Sequence, residues 1–136
     1  MASFRLQVIT PEKIFFDAQT ERLIVRTTEG EMGILARHEN FVGALPSGPV
    51  KIMIDGNYKI AALSSGVLKV SPDKTTIIAE AIEWAEDIDI EWAKRSADKA
   101  RERIKNKESE KEMKYAELKL KRALNRINIY SDFSKH

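Results

Sequence analysis

The spacing of apolar residues changes once along this chain, and that change confines it to a narrow set of folds. Up to about Glu86 the apolar residues come in short runs that alternate or cluster as strands do. From Ile88-Asp89 onward they recur every three or four residues, which is the period of a helix. Strand text followed by helix text points to an α+β chain with the two kinds of element segregated.

The strand text is punctuated by turn residues. Phe4-Arg5-Leu6-Gln7-Val8 alternates until Pro11-Glu12-Lys13, and Glu21-Arg22-Leu23-Ile24-Val25-Arg26-Thr27 runs to Thr28-Glu29-Gly30. Val50-Lys51-Ile52-Met53-Ile54 and Tyr58-Lys59-Ile60-Ala61-Ala62-Leu63 flank Asp55-Gly56-Asn57, where Asp-Gly supplies the positive φ angles of a tight hairpin. Gly66-Val67-Leu68-Lys69-Val70 and Thr75-Thr76-Ile77-Ile78-Ala79 flank Ser71-Pro72-Asp73-Lys74, a second hairpin with proline fixing one φ. Many short strands with no crossover helix between them imply an antiparallel β-sandwich or barrel.

In the helix text, Ile90, Ala93, Ala97, Ala100 and Ile104 draw one narrow stripe, and Asp89 is placed to cap its helix. Asn106-Lys107-Glu108 breaks the pattern. Ser109-Glu110-Lys111-Glu112 then has the spacing of a capping box, opening a second helix with the stripe Met113, Ala116, Leu120, Ala123, Ile127 and Tyr130, broadened by Leu124. A short loop and alanine-rich seams predict an antiparallel two-helix hairpin with close backbones. The chain has 136 residues, too few for two ordinary domains of ~100–200 each, so the expected division is a β-sandwich over 1–86 and a smaller helical hairpin over 87–136. Such a thin pair buries little apolar area and is marginal alone. It needs a docking surface, and two resting places could differ by only a few kcal/mol.

Charge divides at the same place. Residues 1–89 hold 9 Lys/Arg against 13 Asp/Glu, a balance of −4, while residues 90–136 hold 14 against 8, a balance of +6. The basic helical segment is either a solvated helix surface or a docking face for something acidic. A nucleic-acid-binding hairpin is the competing reading. Against it stand the few stacking platforms, Trp92, Tyr115 and Tyr130, and the interleaving of the basic residues with those acids, so no nucleic-acid partner is expected.

Catalysis finds little footing. With no cysteine there is neither thiolate chemistry nor a cysteine-ligated metal, and a reducing compartment fits. No run approaches the ~20 apolar residues of a membrane span, and the amino terminus has no signal-peptide pattern. Of the two histidines, His136 ends the chain, and His38 beside Glu39 reads either as a base or as a turn histidine on a contact surface. No nucleophile or metal-ligand spacing accompanies it, so no catalytic residue and no metal is expected. Gly30-Glu31-Met32-Gly33 is too short for a phosphate loop. It is either a tight bend between strands or a contact motif.

The stretch Thr28-Glu29-Gly30-Glu31-Met32-Gly33-Ile34-Leu35-Ala36-Arg37-His38 resembles the Gly-Glu-x-Gly-x-x-Pro-Gly-His signature of the epsilon subunits of F-type ATP synthases, with Ala36-Arg37 in place of Pro-Gly. The strand pair Ser65–Val70 and Thr75–Glu80, the junction Ile88-Asp89 and the two-helix ending are also similar to that family. The resemblance implies a non-catalytic central-stalk subunit in proton- or sodium-driven ATP synthesis, peripheral on the cytoplasmic side of the membrane. It implies a sandwich that binds the gamma subunit and sits on the c-ring, with the loop of Glu31 and His38 facing the ring. It further implies a hairpin that extends to inhibit ATP hydrolysis, setting Lys119, Lys121, Arg122 and Arg126 into the catalytic head of alpha and beta subunits. Some members bind ATP through Ile-Asp-x-x-Arg-Ala and arginines of the second helix. By resemblance the corresponding residues are Glu83, Ile88, Asp89, Ala93, Arg122 and Arg126, with Trp92 replacing the motif's Arg, so ATP is a regulatory ligand to be tested and no cofactor is required.

Overall fold

A computed structural model describes residues 2–106 and 109–134. The chain forms two compact units, Met1–Trp84 and Ala85–His136.

The first unit contains β1 (Phe4–Ile9), β2 (Ile14–Thr20), β3 (Leu23–Thr27), β4 (Gly30–Ile34), β5 (Phe41–Leu45), β6 (Gly48–Ile54), β7 (Asn57–Val70) and β8 (Thr75–Trp84). Hydrogen-bonded neighbours run β2-β1-β8-β7-β6-β3-β4, with β5 also on β7. The 14-residue β7 explains how one path becomes two layers. Its first half, Asn57–Leu63, pairs with β6, and its second half, Gly66–Val70, pairs with β5. Along its other edge β8 follows throughout, with register shifts at Leu63/Ser65 and Ser65/Gly66. Bulges of this kind bend and twist a strand, and here they turn β7 and β8 from one layer into the other. Gly66 is required at the turn, because a Cβ there would lie 2.5 Å from the carbonyl oxygen of Ile78.

Between the layers lies one core. Leu23, Val25, Ile34, Val50, Ile52 and Leu63 come from one side and Leu6, Val8, Leu68, Val70 and Ile77 from the other, all nearly or fully buried. The buried Thr20 fastens β2 to β6 by donating its hydroxyl to the Met53 carbonyl at 2.7 Å. Both expected hairpins are present. Asp55 (φ 50) and Gly56 (φ 83) carry the turn between β6 and β7, and Ser71 closes the turn between β7 and β8, its amide and hydroxyl both donating to the Lys74 carbonyl. The expectation of antiparallel pairing holds for each pair except β1 with β8, which is parallel. That pair joins residues about 70 positions apart, beyond any local turn signal.

Gly30-Glu31-Met32-Gly33 is not a tight bend. Gly30–Ile34 is strand β4, antiparallel to β3 from Leu23↔Ile34 to Thr27↔Gly30. The bend is Thr28-Glu29, where Thr27 Oγ accepts the Glu29 amide and Gly30 takes φ 120.

The second unit opens with a 3-10 turn at Ala85–Asp87, followed by α1 (Ile90–Asn106) and α2 (Glu110–Ser134). Both helix starts follow the capping logic: Asp89 Oδ1 accepts the Trp92 amide at 3.0 Å and Ser109 Oγ the Glu112 amide at 3.1 Å. The break expected at Asn106-Lys107-Glu108 falls partly on Lys107 and Glu108, outside the described residues. Ala93, Ala97 and Ala100 of α1 and Ala116 and Ala123 of α2 are almost wholly buried, so small side chains line the seam on both helices. The far end of the α2 stripe is different from the sequence expectation. Ile129 is buried while Ile127 and Tyr130 are only half-buried, because α2 outruns α1 and packs there against the 3-10 turn.

Candidate functional site

The β-unit presents an apolar row on the outside of the layer formed by β5, β7, β8, β1 and β2. Strand alternation turns Leu68, Ile77 and Val8 inward and leaves Val67, Ile78 and Ile9 outward. The register then lines them up, since Ala44 faces Val67, Val67 faces Ile78, Ile78 faces Ile9 and Ile9 faces Ile14. Val42 adds to the row from the next outward position on β5. These side chains are well exposed, Val42 by 68%, Ile14 by 61%, Ile78 by 51% and Val67 by 41%. A contiguous exposed apolar row on a folded layer marks a docking surface. None of these residues was singled out from the sequence. The signal was present in the doubled apolar pairs Val67-Leu68 and Ile77-Ile78, since a strand with one wet face needs only one member of each.

Glu31 is exposed on the edge strand β4, opposite Arg26 of β3. His38 follows the other end of that strand, so the two are not in one loop. From Glu31 to Ile34 the extended chain alone spans ~10 Å. His38 closes a four-residue turn by donating its amide to the Leu35 carbonyl at 3.3 Å. Arg37, third in that turn, is left-handed at φ 66 whereas Ala36 is not, which is the φ pattern of a type II turn. The Pro-Gly of the signature suits those two positions, and Ala36-Arg37 makes the same turn with a residue that resists it. The His38 ring stands 2.8 Å from the Glu39 carbonyl through Nδ1, and since a carbonyl only accepts, Nδ1–H donates there. It lines a polar cleft of about 620 Å³ with Arg5, Gln19, Arg37, Asn40 and Lys74. Arg5 is engaged by a two-pronged pair with Asp17, at 3.1 Å for each contact. Among the described residues no group of His, Asp and Glu is arranged to hold a metal ion.

In the helical unit, Ile88 and Ala93 are buried, and the Asp89 carboxylate is committed to the cap of α1. Trp92 is 51% exposed, and the Arg126 guanidinium lies over its ring at 5.7 Å from the centroid. Of the candidate nucleotide residues the structure thus brings Trp92 and Arg126 together. Arg122, one turn before Arg126, is half-buried. Glu83 belongs to the other unit, on β8 opposite Ala62. Lys119 and Lys121 are exposed, Lys119 with its ammonium over the Tyr115 ring at 4.8 Å. Tyr115 and Leu118 are exposed as well, so α2 offers a basic face with apolar points in it.

Comparison with known proteins agrees with this division. Residues 3–85 match the family model for the ATP synthase delta/epsilon chain β-sandwich domain, and residues 86–131 match that for its long α-helix domain. The chain belongs to the ATP synthase delta/epsilon chain family. An ATP synthase epsilon chain from Ruminococcus albus is 45% identical over 130 residues, covering 95% of this chain and 97% of that one. One from Caldicellulosiruptor bescii is 37% identical over 129 residues, covering 95% and 94%. A chain in the mitochondrial ATP synthase of Euglena gracilis, solved with its OSCP, F1 and c-ring, has the same fold, with a TM-score of 0.79 at 23% identity over 100% of this chain and 83% of that one. Members of the delta/epsilon family with this two-part fold are non-catalytic stalk subunits, and this chain is one of them. No described helix is long and apolar enough to cross a membrane.

Proposed function

We propose that the β-unit couples the gamma subunit to the c-ring at the cytoplasmic face of the membrane, and that the helical hairpin is a regulatory arm that restrains ATP hydrolysis. The apolar row Ala44–Val67–Ile78–Ile9–Ile14 carries this reading. It crosses five strands on a layer whose inner face is already committed to the core, so its burial requires another protein. Gamma is the occupant, and Glu31 and His38, at the two ends of β4, are assigned to the ring side. The basic face of α2, with Lys119, Lys121, Arg122 and Arg126, docks on acidic segments of the alpha and beta subunits when the hairpin extends. The +6 balance of residues 90–136 suits that partner. A regulatory nucleotide belongs to this reading only as a weak ligand, because Trp92 occupies the place of a guanidinium whose charged hydrogen bonds are worth ~1.5–3 kcal/mol.

Two measurements test it. Val67→Ser with Ile78→Ser should leave the β-unit folded and abolish co-purification with gamma; retention of gamma by the folded double variant rejects the row as the interface. Deleting residues 90–136 should leave assembly intact and raise ATP hydrolysis by the complex; unchanged hydrolysis in a latent enzyme rejects the regulatory arm.

A further inference from the structure

We infer that Trp92 and Arg126 form a built-in clamp that closes the helical hairpin without any nucleotide. The idea rests on the reading of the hairpin as a switch and adds the contact that sets its resting position.

Three observations support it. The first is geometric: the Arg126 guanidinium lies over the Trp92 ring at 5.7 Å, linking the first turn of α1 to the last third of α2. The second is position along the hairpin. Trp92 is 14 residues before the end of α1 at Asn106, and Arg126 is 16 residues after the start of α2 at Glu110. At 1.5 Å per residue these are ~21 and ~24 Å from the hairpin tip, nearly the same height. The tip is joined covalently, so splaying is least there and greatest at the open end, where the clamp sits. The third is the weakness of what lies between. The buried seam on both helices is mainly alanine, which allows close approach but buries little side-chain area, so a single contact at the open end weighs heavily in the balance.

On α1 the neighbours of Trp92 are already committed. The Asp89 carboxylate receives the Trp92 amide and organises its own helix, and Ile88 and Ala93 are buried. Trp92 therefore supplies from α1 the face on which a cation of α2 rests. Its ring is still half exposed, which puts the contact in the solvent-exposed class of cation–π pairs, where a change of about two- to fivefold in an open-to-closed ratio is expected on losing it.

The chain has no cysteine, so Lys99→Cys on α1 and Glu117→Cys on α2, both exposed, can carry a pair of spin labels in the otherwise intact protein. Pulsed dipolar distances, read across a urea series that brings the open fraction into range, should show the hairpin closed without ATP. Trp92→Leu and Arg126→Gln should each raise the open fraction about two- to fivefold, the pair together should open it no further than either alone, and Trp92→Phe should stay near the parent. Additive effects, a Phe variant as open as the Leu variant, or closure that appears only on adding ATP would each overturn the clamp. These distances are read on the free full-length chain, so a failure of hydrolysis control in the complex and a failure of the clamp are separate results.

Discussion

Replacing Arg37 by glycine should stabilise the β-unit, although it removes a charged side chain from a turn that serves a proposed ring contact. Arg37 holds φ 66 in the turn closed by the His38 amide and the Leu35 carbonyl. A side chain with a Cβ pays roughly 1–2 kcal/mol in that left-handed region. Glycine removes that cost and returns ~0.5–1 kcal/mol of it through the greater freedom of the unfolded chain. The net gain is ~0.5–1 kcal/mol, which in a unit of this size raises Tm by about 2–8 °C. Thermal and urea unfolding followed by the β-sheet signal measure it. Arg37→Ala is the control, because it removes the guanidinium but keeps the Cβ, and it should unfold close to the parent. If Arg37→Ala gains as much as Arg37→Gly, crowding of charge with Lys74 in the cleft is the cause and the backbone argument is wrong; no gain in Arg37→Gly rejects it as well.

Gly66→Ala should destabilise by ~1–3 kcal/mol or more, since its Cβ would meet the Ile78 carbonyl oxygen at 2.5 Å and both strands would have to shift; a urea midpoint equal to the parent's would show that the bulge is soft. Ser109→Ala should cost α2 about 1 kcal/mol through loss of the amide contact from Glu112, seen as lower helical ellipticity and faster amide exchange in the first turn of α2, with Ser109→Asp restoring both. The Arg5 hydrogen bonds hold the Asp17 carboxyl below its ordinary range, with burial opposing them. A carboxyl lowered on folding stabilises in full above its unfolded value of about 4 and loses that contribution as the pH falls through its folded value. Asp17→Asn should therefore flatten the acid limb of the stability curve below about pH 4, and an unaltered limb in urea titrations would count against the pair.

What could be read from the sequence was what short-range chemistry determines. The Asp55-Gly56 turn, the Asp89 cap and the Ser109 cap each depend on residues within four positions of one another, and each is found where the local pattern put it. The alanine seams were legible for the same reason, since helical period is a property of one segment. Pairing across the chain was not. Nothing near Leu6 announces a parallel partner at Thr75, and without that register Ile9 and Ile78 are two apolar residues on separate strands rather than neighbours on one wet face. The β4 segment was ambiguous because two glycines in five residues suit a bend as well as an edge strand, and only the ladder to β3 decides between them. Ile129 escaped because a stripe read along α2 alone assumes that α1 is its partner to the end, whereas its last turns meet the 3-10 turn instead.

The same distinction explains why the two halves suit different work. In the β-unit the buried side chains are Leu, Ile and Val held by a ladder that runs through eight strands, so displacing one strand exposes several large groups at once. That construction suits the coupling role proposed for the β-unit, because a close-packed core transmits force without yielding. In the hairpin the seam is mainly alanine, and of the larger apolar residues of the two helices only Ile129 is buried among the described residues, so separating the helices exposes little per residue and ~25 cal/mol per Å² leaves a small penalty. Weak internal closure is what the proposed regulatory arm requires, because a partner or a point contact can reverse only an equilibrium of a few kcal/mol. Enlarging the seam is therefore a test of function as well as packing. Ala97→Leu, if accommodated by a small shift of α2, should bias the hairpin toward one state and reduce its response to partners. A variant that keeps the parent's open-to-closed ratio with a leucine buried at position 97 would show that the alanines are not what keeps the balance close.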